Sequence, residues 1–132
     1  MIRPSGGSIV IIDWRGGVPP NEPNRLRPAV VIDDHHLFPD EYQSIFVAPM
    51  TRDETIVYPA FAISLEPSSQ NGCLERCWIL ANYASVVSLA RVRTTSSTIS
   101  DEQLMQVRLK LSFMIGFPHV SPLLRELADV CR

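Results

Sequence analysis

The short apolar run Ala29–Ile32, preceded by Arg27 and Pro28, is the feature that most restricts the fold of this chain. Three of its four residues are β-branched, which is typical of a short buried strand. Pro28 has a fixed φ angle and disfavours helical geometry at Arg27, so a helix is excluded there and the arginine side chain is given a defined direction. We therefore predict a strand over residues 27–32 with a charged side chain at its start.

Similar short runs recur along the chain, too closely spaced for β-α-β units. The further predicted strands cover residues 8–14, 43–50, 57–65, 77–80 and 89–94. Pro59 implies that the 57–65 strand is an edge strand or starts after the proline. Residues 84–87 are compatible with a turn of helix or with more strand. In the 89–94 strand, Arg91 and Arg93 alternate, which predicts one basic face. The spacing favours an antiparallel meander.

One long helix follows the strands. Ser100–Gln103 has the signature of a capping box, so the helix is predicted to begin there and to end at Gly116. Apolar residues predicted to face the sheet repeat at helical spacing: Leu104, Val107, Leu111 and Met114, widened by Leu109, Phe113 and Ile115. Ser121 and Pro122 predict a second, short terminal helix. The pattern indicates a mainly β or α+β domain, a small barrel with a helix packed on it.

Composition narrows the functional classes. The 132 residues are enough for one domain, and the net charge of −2 argues against indiscriminate nucleic-acid binding. Eleven arginines stand against one lysine, however, and arginine is suited to bidentate phosphate contacts. The composition is therefore compatible with a local phosphate-binding patch.

Neither a membrane span nor a signal peptide is evident in the sequence, so we expect a cytoplasmic protein. The three cysteines, Cys73, Cys77 and Cys131, are predicted to be reduced thiols, since their number is odd and the closest pair lacks the usual metal-knuckle spacing. Asp33-Asp34-His35-His36 offers four potential metal ligands, but adjacent ligands seldom converge on one cation. We interpret this group as a solvated turn and predict no metal or cofactor.

Several motifs occur in an order and spacing that resemble the MazF/PemK family, the toxins of bacterial toxin–antitoxin pairs. The family's opening strand corresponds to Gly7–Asp13, and its loop glutamate, five residues before an Arg-Pro-Ala-Val-Val strand, corresponds to Glu22 and Arg27–Val31. A Pro-x-Thr strand end follows at Pro49–Thr51, and a closing helix at Ser100–Gly116. The resemblance covers residues 7–116. It implies an SH3-like barrel domain over residues 1–116 and a carboxy-terminal extension, 117–132, of unassigned role.

The resemblance also implies a homodimer that cleaves single-stranded RNA at specific sequences without a metal, and a cognate antitoxin that fills the RNA groove. In-line attack by the ribose 2′-OH requires a base, a donor to the phosphorane and an acid. Glu22 is the candidate base, Arg27 the candidate phosphate ligand, and Thr51 a further donor. Candidate RNA contacts are Arg15, Arg25, Arg52, Asn82 and Arg91. Alternatively, Glu22 and Arg27 pair with each other and Thr51 satisfies the loop backbone.

The chain also departs from the family pattern. Ala81 and Asn82 stand where an Asp-Gln pair is common, and Ile79 and Asn21 where some members have an arginine and a histidine. A catalytically weak barrel that binds RNA or protein, or a gyrase-poisoning toxin of the related CcdB type, are therefore alternative functions. Trp14 and Phe46 are interpreted as core residues, with base stacking as the alternative.

Overall fold

The computed structural model describes residues 3–14 and 26–117, in which seven strands precede one helix. The elements are β1 (Ser8–Asp13), β2 (Leu26–Val31), β3 (Ser44–Thr51), β4 (Ala62–Leu65), β5 (Cys77–Leu80), β6 (Ser85–Ser88), β7 (Val92–Thr98) and α1 (Asp101–Met114). The predicted mainly β fold with one helix packed on the sheet is confirmed.

All strand pairs are antiparallel, in the order β4-β5-β3-β2-β1-β7. Strand β3 is the longest and has three partners: its first half pairs with β6, its centre with β2, and its last two residues, Met50 and Thr51, with β5. The predicted meander therefore holds for β1, β2 and β3. Beyond them, the end of β3 pairs with β5, and β5 pairs with β4 in the β4–β5 hairpin.

Both faces of the central strands are buried, which explains the continuous apolar run in β2. Val30 lies in a core cluster with Leu104 and Val107 of the helix, whereas Val31 lies in a second cluster on the opposite face of the sheet; both are 0% exposed. Burying each such side chain stabilises the fold by about 1.5–3 kcal/mol. Trp14 packs against the second cluster and Phe46 against the first, which confirms their interpretation as core residues.

The helix begins and ends where the sequence predicts. Ser100 accepts a hydrogen bond from the Gln103 backbone, and the Gln103 side chain accepts one from the Ser100 backbone, which completes the capping box. At the other end Gly116 has a φ of +82°, a conformation that glycine adopts without strain. Arg108 ties the helix to the end of β2, because its guanidinium donates to the backbone carbonyls of Ile32 and Asp33 at 3.0 Å.

Two predicted strands have different bounds. The 57–65 strand begins only at Ala62, because Pro59 opens a short 3₁₀ turn over Pro59–Phe61. The 89–94 strand begins at Val92 and extends to Thr98, after a 3₁₀ turn over Leu89–Arg91. Arg91 and Arg93 therefore do not share a strand face, and the predicted basic face is wrong. In the segment 84–87, for which the sequence was compatible with helix or strand, residues 85–87 belong to strand β6 and Ala84 follows a 3₁₀ turn.

The predicted apolar stripe of the helix is only partly correct. Leu104 and Val107 are buried and Leu111 is partly buried, but Leu109, Phe113, Met114 and Ile115 are 50%, 57%, 37% and 69% exposed. For Leu109 and Phe113 the reason is geometric: residues on the inner face of an α-helix recur at three- and four-residue steps from Leu104, and these two fall on the outer face. Met114 and Ile115 follow the inner-face spacing but lie at the end of the helix, where they are exposed. In residues 3–14 and 26–117, no helix is long and apolar enough to cross a membrane.

Candidate functional site

Arg27 is the first charged residue of β2. It lies opposite Ile12 of β1 and is half-buried, so its position is set by strand pairing on one side and by Pro28 on the other. Its neighbour two positions on, Ala29, pairs with Pro49 of β3. The backbone of Arg27 therefore has a fixed position at the rim of the sheet.

Thr51 is the last residue of β3, and it is half-buried at the same rim. Its Oγ accepts a hydrogen bond from the Asp53 backbone N–H at 3.0 Å, so the hydroxyl proton is not used by that bond. Asp53 in turn caps a 3₁₀ turn over Glu54–Ile56, and its hydrogen bonds from Thr55 lower the pKa of its carboxyl below the ordinary value. The chain leaving Thr51 is thus locally ordered.

Strand alternation places Arg27 and Thr51 on the same face of the sheet. Ala29 and Pro49 are paired, and side chains two residues apart in a strand point to the same side. Membership of the second core cluster gives the same answer, because Ala29, Val31 and Val47 all belong to it. Arg27 and Thr51 therefore lie on adjacent strands, on the face opposite the helix.

The other predicted RNA contacts are dispersed in the described part of the chain. Arg52 is exposed and forms an ion pair with Glu75 at 3.5 Å. Arg91 is exposed in its 3₁₀ turn. Asn82 is half-buried, and its Oδ1 is enclosed without a partner among the described residues, so that oxygen is turned away from solvent. Arg93 pairs in register with Ile11 and so points to the face opposite Arg27.

Three of the predicted site residues, Glu22, Arg15 and Arg25, lie outside the described residues, as do Asn21, Cys131 and the terminal helix predicted after Ser121. The meeting of Glu22 with Arg27 therefore stays a prediction.

The Asp33–His36 group divides into two structural roles. Asp33 is a buried ion-pair partner of Arg3, with side-chain exposures of 8% and 3%. The ligand atoms of Asp34, His35 and His36 lie within 4.8 Å of one another. The Asp34 carboxylate caps the following turn through the His36 backbone N–H, and this bond, with that to the His36 side chain, lowers its pKa. The solvated turn is confirmed for the exposed Asp34 and His36, whereas Asp33 belongs to the interior.

Cys73 and Cys77 are free thiols with their Sγ atoms 3.2 Å apart. Cys77 is buried in the first core cluster, and burial, with the contact to Cys73, raises the pKa of its thiol to about 12. The prediction of reduced, structural cysteines is confirmed for this pair.

Two residues of evident importance were not predicted. Trp78 of β5 lies directly opposite Thr51, so its side chain shares the face of Arg27 and Thr51. Arg3 donates to the Ser44 carbonyl as well as to Asp33 and lies over the Phe38 ring. Neither has a local signal in the sequence, because their partners are distant along the chain.

Two of the four positions at which the chain departs from the family pattern are core positions. Ile79 and Ala81 are both 0% exposed and belong to the cluster under the helix. Their apolar side chains fill the interior, on the side of the sheet away from Arg27 and Thr51. An arginine or aspartate in either place would be a buried charge in this chain.

Comparison with known proteins gives one consistent result. No curated protein matches the sequence significantly. The crystal structure of MazF (Form-I) from Deinococcus radiodurans has a TM-score of 0.65 at 19% identity, covering 88% of this chain and 98% of that one. The MazE-MazF complex (Form-II) of the same organism has a TM-score of 0.61 at 20% identity, covering 88% and 97%. An endoribonuclease in complex with its cognate antitoxin from Mycobacterial species has a TM-score of 0.64 at 9% identity, covering 86% and 96%.

These structural likenesses concern the fold. The family model for the PemK-like, MazF-like toxin of type II toxin–antitoxin systems matches residues 5–115. That range contains every described strand and the helix. The chain therefore belongs to the PemK-like, MazF-like toxin family.

Proposed function

We propose that this toxin is a metal-independent endoribonuclease that cleaves single-stranded RNA. The observation that carries the proposal is the placement of Arg27 and Thr51 on adjacent strands and on one face of the sheet rim. A guanidinium provides two donors in a plane, and a threonine hydroxyl provides a third from the neighbouring strand. A guanidinium and a hydroxyl placed on neighbouring strands and on one face suit the non-bridging oxygens of a phosphodiester.

The reaction is an internal transfer at phosphorus. The ribose 2′-oxygen loses its proton to a base, for which we propose Glu22, and forms a bond to phosphorus. The P–O5′ bond breaks, and the departing oxygen takes up a proton, which leaves a 2′,3′-cyclic phosphate and a 5′-hydroxyl. Arg27 and Thr51 stabilise the additional negative charge of the phosphorane. We assign Arg27 an electrostatic role, because a guanidinium group is a permanently charged donor of several N–H bonds.

Further backbone contacts are proposed for Arg52 and Arg91, which are exposed, together with Arg15 and Arg25. The Oδ1 atom of Asn82 is enclosed, so a contact by this residue would use its amide nitrogen. Ile79 and Ala81 bear on the rival function of a non-cleaving barrel. Their side chains lie in the core on the other face, so the departures at these positions leave Arg27 and Thr51 intact.

The test is incubation of the purified protein with a long single-stranded RNA in the presence of a chelator. We expect cleavage to fragments ending in a 2′,3′-cyclic phosphate, and a loss of about 10²–10³-fold in rate for Arg27→Ala. Arg93→Ala is the matched control, because Arg93 lies in the same sheet on the other face. RNA left intact by the wild-type protein would refute the nuclease function. Equal losses in the two variants would refute the assigned role of Arg27.

We further propose that the toxin forms a homodimer and binds a cognate antitoxin. Support comes from the related folds solved as a MazE-MazF complex and as an endoribonuclease with its antitoxin. Met105, Leu109 and Phe113 form an exposed apolar stripe on α1 that a partner would cover. Light scattering on the purified chain should give twice the monomer mass of 14.8 kDa. A monomer at micromolar concentration would refute the dimer.

A further inference from the structure

The row of side chains that holds Arg27 and Thr51 continues into the β4–β5 hairpin. Thr51 pairs with Trp78, and Trp78 pairs with Ser64 of β4. Directly opposed residues of antiparallel strands project to the same face. Core membership agrees, because Ile63, Leu65, Cys77 and Ile79 fill the cluster under the helix, which leaves Trp78 and Ser64 on the other side. Trp78 therefore lies next to the proposed phosphate site.

A cleft of about 420 Å³ opens at Trp78, the strand partner of Thr51, at this end of the row. Its size is within the range of small-molecule sites. Trp78 is half-buried and forms one wall, and the remaining lining residues come from β4 and the segment between β3 and β4: Glu54, Val57, Pro59, Ala62 and Ser64. The cleft is thus mostly apolar, with one carboxylate and one hydroxyl.

The lining suits a nucleobase better than the RNA backbone. An indole face stacks favourably on any base, because every base has a π-face. The Glu54 carboxylate repels phosphate but accepts hydrogen bonds from an exocyclic amino group, and the Ser64 hydroxyl donates or accepts. Glu54 is exposed in its 3₁₀ turn, and Arg52 pairs with Glu75 instead. No described basic residue lines the cleft.

We propose that this cleft holds one base of the RNA next to the scissile phosphate, with Trp78 as the stacking platform and Glu54 as the residue that selects a base bearing an amino group. Adenine, cytosine or guanine is then preferred over uracil, which has no exocyclic amino group. The inference rests on the proposed nuclease function and adds a specificity site to it. Trp78 and Glu54 are binding residues, and the phosphoryl chemistry stays with Arg27 and Thr51.

The first experiment measures base stacking without cleavage. The chain has two tryptophans, so Trp14→Phe leaves Trp78 as the single indole fluorophore. Oligomers of 2′-fluoroadenosine, 2′-fluorocytidine and 2′-fluorouridine cannot supply the attacking hydroxyl. We expect the adenosine and cytidine oligomers to quench Trp78 and the uridine oligomer to bind about 10-fold more weakly. If the fluorescence anisotropy of the oligomer shows that it binds while the Trp78 emission does not change, the proposal is overturned.

The second experiment uses variants. Glu54→Ala removes the acceptor and should reduce the preference for adenosine over uridine by about 10-fold, whereas Glu102→Ala, at an exposed glutamate in the first turn of the helix, should leave it unchanged. Trp78→Phe should retain most of the affinity, and Trp78→Leu should lose about 10-fold. A wild-type protein that neither binds nor cleaves RNA would remove the proposed function itself. A protein that cleaves RNA with the same base preference in all four variants would remove only the cleft.

Discussion

The two ends of strand β2 place arginines in opposite physical settings. Where β2 gives way to Ile32 and Asp33, two arginines are used for the fold: Arg3 pairs with the buried Asp33 carboxylate, and Arg108 donates to the two backbone carbonyls. At the other end, Arg27 is half-buried at the sheet rim, on the face shared with Thr51. The same strand therefore determines the positions of both arginine sites.

The difference lies in the burial of the two arginine side chains and in the face of the sheet on which Arg27 lies. Arg3 has a side-chain exposure of 3%, and its guanidinium contacts Asp33, the Ser44 carbonyl and the Phe38 ring. A charge so enclosed is held by internal partners and is out of reach of a ligand. Arg27 lies on the sheet face that continues to Trp78 and its cleft. Arginine content alone therefore says little about phosphate contacts, whereas the face and burial of each side chain distinguish the enclosed Arg3 from the half-buried Arg27.

Arg3→Ala should give the largest effect at the structural end. It leaves the Asp33 carboxylate buried without its charged partner, so we expect a loss of about 3–5 kcal/mol in the free energy of unfolding. Urea denaturation measures it. Arg76→Ala breaks an exposed pair with Glu66 and should cost at most about 1 kcal/mol. Equal losses in the two variants would break the contrast between buried and exposed arginines.

Arg27→Lys tests the functional end. Lysine keeps the positive charge but loses the planar pair of donors, so we expect the cleavage rate to fall by about 10–100-fold. Circular dichroism should be unchanged. Arg3→Ala, compared per folded molecule, should cleave RNA at nearly the wild-type rate. Full activity in Arg27→Lys would mean that the residue contributes only its charge.

Ser100→Ala gives a smaller effect, confined to the helix. The variant loses the bond to the Gln103 backbone N–H, which should reduce the free energy of unfolding by about 1 kcal/mol. Ser100→Asp should restore most of it, because aspartate is also a favourable cap. Thermal denaturation distinguishes the variants. No change in Ser100→Ala would show that packing of Leu104 and Val107 alone holds the start of the helix.

Asp53 gives the smallest effect, at the functional end. Hydrogen bonds from Thr55 depress its pKa in the folded state, so their contribution is present above the unfolded pKa of about 3.9 and is lost as the pH falls through the folded pKa. An NMR titration of the Asp53 carboxyl should give a midpoint below the ordinary value. Thr55→Val removes the hydroxyl bond and keeps the backbone bond, so the shift should become smaller without disappearing. A midpoint at or above the ordinary value would contradict the cap on the turn after Thr51.

Local signals in the sequence predict most of the elements. The apolar run Cys77–Leu80 is a strand with the predicted bounds, and the capping box at Ser100 starts the helix. The prediction that the 57–65 strand is an edge strand or starts after Pro59 is confirmed, because β4 lies at the edge of the sheet and begins at Ala62, after the turn that Pro59 opens. The outer face of the helix was misassigned, because apolar residues such as Phe113 satisfy a periodic pattern whether or not the sheet reaches them.

The site was predictable in part. Arg27 and Thr51 follow from the family resemblance and from the proline that directs the arginine, and strand pairing brings them to one face. The placement of Trp78 depends on strand register, because its partner is Thr51 of another strand. The role of Arg3 depends on a contact with a residue distant in the sequence, since Asp33 is 30 residues away. Neither composition nor periodicity encodes such a pairing, so sequence patterns alone cannot assign either residue.

The most direct test is a crystal structure of the toxin with an RNA whose scissile nucleotide carries 2′-fluorine. We expect the scissile phosphate within hydrogen-bond distance of the Arg27 guanidinium and of Thr51 Oγ, on the face of the sheet opposite the helix. A phosphate bound at Arg93, on the helix side of the sheet, with Arg27 and Thr51 away from the RNA would contradict the proposed site.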